Sequence, residues 1–223
     1  MPQIQLLVRL WRSYGILLAG ILAPVLLLTA IVWAGCMETD YSHATQFVSE
    51  LGAFGAEHPW IINYLGLVPS GFLTVVFSVG AYSRLRPGSW FVISCVLIAL
   101  AGIGRLLAGV YPCDVGCSLE NMSTSARVHA LAGFVALVSG ALAPMAFAAG
   151  YRQRNDNLLL QVSTGVGAIS IVAVVLLFGL GPGTAYIGAI QRLILAAFYG
   201  WTAFLSIEIA ALRRKDRERI KAA

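Results

Sequence analysis

The sequence predicts an all-α fold. It is a polytopic membrane bundle of six transmembrane helices, N-in and C-in, with a short amphipathic helix in the first external loop. Three observations predict it. Hydrophobic residues make up 59% of the chain and charged residues 11%, at a mean hydropathy of +0.82, which is too apolar for a soluble domain of this size. Runs of about 20 nearly uncharged residues recur, each long enough to cross roughly 30 Å of hydrocarbon. Twelve of the fifteen cations fall in alternate connecting segments.

The first run, 15–35, follows Arg9 and Arg12. It is long for a secretory signal and no small-residue cleavage site closes it, so it reads as an anchor. Five more follow at 59–82, 89–111, 127–150, 158–180 and 185–212, and residues 1–223 read as a single transmembrane domain. Arg9 and Arg12, Arg84 and Arg86, Arg152 and Arg154, and the tail cluster Arg213, Arg214, Lys215, Arg217, Arg219 and Lys221 mark cytoplasmic segments. Six of the ten acids, Glu38, Asp40, Glu50, Glu57, Asp114 and Glu120, fall on the opposite loops. The net charge of +5 is therefore a topology signal and excludes a nucleic-acid-binding face. The tail also suits contact with anionic lipid.

With that topology the unusual residues gather at the outer face: His43, Glu50, His58, Asn63, Arg105, Cys113, Asp114, Cys117, Arg127, His129, Gln191 and Arg192. Segment 38–60 alone carries four of the ten acids and two of the three histidines. Drawn as a helix from His43 to Glu50, it places His43, Gln46 and Glu50 on one stripe opposite Phe47, Val48 and Leu51. Ser42 is its N-cap, and Gly52 and Gly55 end it. This segment is expected to fold back as a lid over the third, fourth and sixth spans, with Glu50 near Arg105 or Arg192. Arg105 lies about two turns inside the third span and calls for a partner, Glu50 or Asp114, or for a substrate. Glu208 is expected to pair toward the Arg213 cluster, and Gly133 and Gly140 to allow close helix packing. Pro24, Pro69 and Pro144 are positioned to break helices.

C-x-x-x-C at Cys113 and Cys117 fits a disulfide between them, or from either to Cys36; Cys95, inside a span, reads as a small apolar side chain. No GxSxG, HExxH, Walker A or GxGxxG assigns a reaction, so enzyme activity, cofactor and metal stay undetermined. Haem would need paired axial ligands within spans, and His129 alone is near one.

The stretch YSHATQFVSELGAFG, then Asn63, YPCD, His129 near the start of a span and Gln191-Arg192 entering the last one, resembles the domain of unknown function 998 family. These are six-span prokaryotic membrane proteins. The resemblance covers about residues 15–212 and is most specific at SELG, 49–52, and at the ordered Asp114, His129, Gln191 and Arg192. It implies a six-span fold in a prokaryotic inner membrane and assigns no reaction; Cys113 and Cys117 fall outside the pattern. A fainter likeness is to membrane-embedded zinc hydrolases, for which Ser42, His43, His58, Asp114 and His129 offer residue types but no HxxxH pair.

Three functions compete. A site open to the outer leaflet would bind or process an anionic lipid or amphiphile. In it Arg105, Arg127 and Arg192, with His43, Asn63 and Gln191, would hold a phosphate or carboxylate, and Glu50, Asp114 and His129 would supply acid–base or proton-transfer capacity. A proton-coupled transporter of small solutes would use Glu50, Asp114 or His129 as its proton site. An accessory subunit would dock on a larger complex through the external helix, with a protein partner that the sequence leaves unnamed.

Overall fold

The computed structural model describes residues 2–84, 88–152, 157–181 and 184–222, with side chains described from 18 to 211. Arg86 and Arg154 lie outside the described residues. The side chains of Arg9 and Arg12, and of the Arg213 cluster expected to pair with Glu208, lie outside them too. Six long helices form: α1 Pro2–Met37, α2 Val68–Tyr82, α3 Ser89–Val110, α4 Thr124–Tyr151, α5 Asn157–Leu180 and α6 Ile187–Ala222. Their segments Leu18–Met37, Ile61–Tyr82, Ser89–Val110, Thr124–Tyr151, Asn157–Leu180 and Ile187–Ala211 are long and apolar enough to span a membrane. Helix is the form such segments must take in hydrocarbon, because each satisfies its own backbone hydrogen bonds. There is no strand among the described residues.

Each helix packs on its neighbours in sequence, α6 closes the ring against α1, and α4 also reaches α6. Leu18, Leu22, Val25, Leu28 and Val32 stay exposed along one face of α1, as a lipid-facing surface requires, while Phe77, Phe147, Phe198 and Trp201 are buried inside. Small residues set the closest approaches. A Cβ on Gly102 of α3 would stand 2.7 Å from the Gly71 carbonyl of α2, and one on Gly104 2.5 Å from the Ala132 carbonyl of α4. Gly140 does face a neighbour, with Phe198 at 3.3 Å from its built Cβ, but Gly133 faces open space, with nothing within 4 Å.

Helices α1 and α4 run through Pro24 and Pro144 without a break. Pro69 acts differently. It is preceded by a π-helical turn, Ile61–Leu67, in which the Val68 N–H reaches back five residues to the Asn63 carbonyl. A proline ring clashes with the carbonyl four residues before it, and a widened turn relieves that contact.

The first loop departs from the expected α-helix at His43–Glu50. Residues 43–45 form turns, and a 3-10 turn covers Val48–Gly52. The cause lies in which acceptors its amides find. In an α-helix the Phe47 and Val48 N–H groups would donate to carbonyls four residues back. Here Phe47 donates to Glu50 Oε1 at 2.7 Å and Val48 to Gln191 Oε1 of α6 at 2.6 Å. The Ala44 carbonyl that Val48 would have used accepts from the Ala189 N–H at 3.0 Å. The loop does fold back, docking on α1, the π-helical turn, the α3–α4 connection and α6. Val48 and Leu51 are buried beneath it.

Candidate functional site: the loop-covered end of the bundle

Arg192 joins the loop to α6. Its Nη1 donates to the Gln46 carbonyl and to the Gly188 carbonyl of its own helix, both at 3.0 Å. Its Nη2 donates to the Tyr41 hydroxyl and, at 2.9 Å, to His43 Nδ1. A guanidinium only donates, so the His43 imidazole accepts and carries its proton on Nε2. Tyr41 passes the bond on, donating to the Phe47 carbonyl at 2.8 Å, and its burial pushes the phenol pKa up. Glycines make the room. A Cβ on Gly188 would stand 2.2 Å from the Gln46 carbonyl oxygen, and one on Gly35 of α1 2.4 Å from the His43 ring.

Desolvation first, then the Arg192 charge, hold the His43 imidazole below its usual pKa. A depressed folded pKa means that the undocked loop takes the proton first. The stability His43 contributes is then present above about pH 6.5 and lost as pH falls through the folded value. The melting temperature of the wild type should therefore fall more steeply between about pH 7 and pH 5 than that of His43→Gln, which has no imidazole to titrate. Parallel curves would refute the assignment.

Beside this pair, α1 and α6 part to leave a cavity of about 450 Å³. It is lined by Pro24, Leu27 and Ile31 of α1 and by Leu195, Ala196 and Tyr199 of α6, with His43 and Arg192 as its polar groups. Below the groove the helices close up again, since a Cβ on Gly20 would collide with the Ser206 side chain. Arg192 Nε is buried without a hydrogen-bond partner, and so is the Tyr199 hydroxyl.

Arg105 lies deeper and is 3% exposed. Its guanidinium stands over the Phe198 ring at 5.1 Å and the Tyr199 ring at 4.8 Å, and Nη1 reaches the Ala101 carbonyl at 3.4 Å. Among the described residues neither Glu50 nor Asp114 pairs with it, which corrects the expected ion pair. Desolvated cation–π contacts return about 2 kcal/mol each. That is modest against a burial penalty of several kcal/mol per ion. A small cavity of about 60 Å³ adjoins it, lined also by Ser49, His129, Gly133 and Gln191.

His129 Nδ1 contacts the Ala108 and Tyr111 carbonyls, each at 2.9 Å, so Nδ1 carries the proton and Nε2 keeps its lone pair. Cys113 and Cys117 are joined as a disulfide beside it, while Cys36 is free and exposed and Cys95 is free and buried. The ligand atoms of Cys113, Cys117 and His129 lie within 4.8 Å of one another. Closed as a disulfide, the sulfurs are not thiolate ligands, and His129 alone could hold a metal there. The five residues of the zinc-hydrolase likeness do not gather: His43 is held by Arg192, His129 by carbonyls and Asp114 by Ser123.

Other expected site residues are engaged in holding the scaffold. Glu50 takes the Phe47 N–H and, at 3.2 Å, Gln46 Nε2, so it meets the Arg192 network only indirectly, through Gln46 and Phe47. Asn63 Nδ2 donates to the Gly52 carbonyl at 2.9 Å, latching the loop. Asp114 accepts the Ser123 N–H at 2.8 Å at the N-cap of α4, which lowers its pKa. Arg127 is exposed and donates to the Met122 carbonyl. Sequence reasoning passed over Tyr41, Gly188 and Tyr199, and placed Gln46 only on the stripe with His43 and Glu50. Only Tyr199 left a signal, seven residues after Arg192 and so on the same helix face.

Six apolar helices closed into a ring, with arginines held under a docked loop at one end, define a polytopic membrane protein with a polar site at the mouth of its bundle. The chain belongs to the family described as protein of unknown function (DUF998), whose model matches residues 21–208. No curated protein and no solved structure matches it.

Proposed function

We propose that the protein binds an anionic lipid or amphiphile, with the tail in the groove between α1 and α6 and the acidic head at Arg192 and His43. One observation carries this reading: an apolar cavity of lipid-binding size ends at a guanidinium whose Nε is buried and unpartnered. A phosphate or carboxylate oxygen that accepts from Nε–H would complete that guanidinium, whose other four N–H groups are already engaged. Leu28 and Val32 open the groove sideways toward the bilayer, the route a lipid would take. The alternation of cations between connecting segments supports a site at the outer face, with both termini cytoplasmic.

Gly200 supplies a clean test, because it lines the groove and a Cβ there meets nothing within 4 Å. Gly200→Phe should fill the groove and leave the melting temperature unchanged. Native mass spectrometry with phosphatidylglycerol micelles should then show adducts on the wild type that Gly200→Phe loses at least tenfold, while phosphatidylcholine gives few on either. In intact cells a membrane-impermeant maleimide should label the exposed Cys36. Equal adducts on both proteins would remove the lipid reading, and an unlabelled Cys36 would remove the orientation.

A further inference from the structure

We propose that the small cavity beside Arg105 is an anion site that takes a chloride-sized ion. It is separate from the lipid groove and does not depend on that reading. Arginine carries five N–H donors and does not lose its proton inside proteins. Arg105 spends one of them, on a long bond to its own helix, and no other protein acceptor meets it among the described residues. The two aromatic rings occupy a face of the guanidinium and use none of its N–H groups. Besides Arg105 the lining carries the Ser49 hydroxyl, the His129 ring and Gln191, and the glutamine offers a second donor. Gln191 Oε1 is taken by the Val48 N–H at 2.6 Å, which fixes the amide orientation and leaves the Nε2 hydrogens without a protein acceptor.

A buried cation and an unspent amide on one cavity, with no carboxylate on its lining, call for a negative charge. At about 60 Å³ the space exceeds the roughly 10–15 Å³ that one water needs and is small for a lipid head group. An access route is present. A neighbouring cavity of about 190 Å³ shares Ser49, His129, Gly133 and Gln191 with it and reaches the exposed Leu119 in the α3–α4 connection. Gly133 keeps the space open, since a Cβ there would meet nothing within 4 Å.

The test uses the full chain purified in detergent, moved from gluconate to chloride or bromide at constant ionic strength. A saturable rise in melting temperature of about 5 °C is expected at high occupancy. Gly133→Leu should fill the cavity, keep the fold and lose the rise. Gly165→Leu, at an exposed position of α5 outside this cavity, should keep it. Crystals grown in bromide should show an anomalous peak beside Arg105 and Gln191 in the wild type. Absence of that peak, or a halide-dependent rise of equal size in Gly133→Leu, would overturn the proposal and leave water as the occupant.

Discussion

Arg192→Met is expected to release the first loop and abolish binding in the α1/α6 groove together. Methionine keeps the aliphatic bulk but returns none of the bonds to the Gln46 carbonyl, the Tyr41 hydroxyl and His43 Nδ1. Hydrogen bonds to a charged group contribute roughly 1.5–3 kcal/mol each, and they are not additive when they share one guanidinium, so a net loss of about 3–4 kcal/mol follows. For a chain of this length that is a fall of roughly 10 °C in melting temperature. The damage should also be local. Hydrogen exchange over 41–52 should rise toward unprotected rates while the amides of α3 and α4 stay slow, because the loop opens as a unit of its own. A uniform rise across all helices would show that Arg192 supports the whole bundle instead.

The second large effect belongs to the α2–α3 contact. Gly102→Leu would place a branched side chain where the first carbon alone stands 2.7 Å from the Gly71 carbonyl and 3.0 Å from the Val75 amide nitrogen. Backbone cannot swing aside as a side-chain tip can. The contact is reciprocal, since a Cβ on Gly71 would stand 2.6 Å from the Gly102 carbonyl, so the helices must separate along their seam. Overpacking of ordinary cores costs about 1–3 kcal/mol, and a contact of two backbones should exceed about 4 kcal/mol. Size-exclusion chromatography in detergent should show little monodisperse protein. Gly165→Leu, at an exposed position of α5 with nothing within 4 Å, should elute like the wild type. Similar profiles for the two variants would mean that the α2–α3 seam is not what fixes the bundle.

These two sites differ in how much of them the sequence exposes. The apolar runs alone determine the six helices, because hydrocarbon leaves the backbone no hydrogen-bonding alternative. The scarcity of polar residues also singles out Arg105, His129, Gln191 and Arg192, since each is costly in a span and needs a reason to be there. Periodicity could not decide the first loop. His43, Gln46 and Glu50 share a stripe on paper, yet the Val48 amide is taken by Gln191, more than a hundred residues away in sequence. Charge complementarity pointed from Glu50 to Arg105, whereas Glu50 found a nearer use at the Phe47 amide and Arg105 settled over two aromatic rings. Gly133 reads like any other small residue of a packed helix, and only its surroundings make it the open side of a cavity. What the sequence by itself determined is which segments enter the membrane and which polar residues they carry, because solvation in lipid acts on each segment alone. Which of those residues meet was decided by the tertiary structure, because hydrogen bonds and cavities belong to pairs of helices, and a single chain of letters does not state the distance between them.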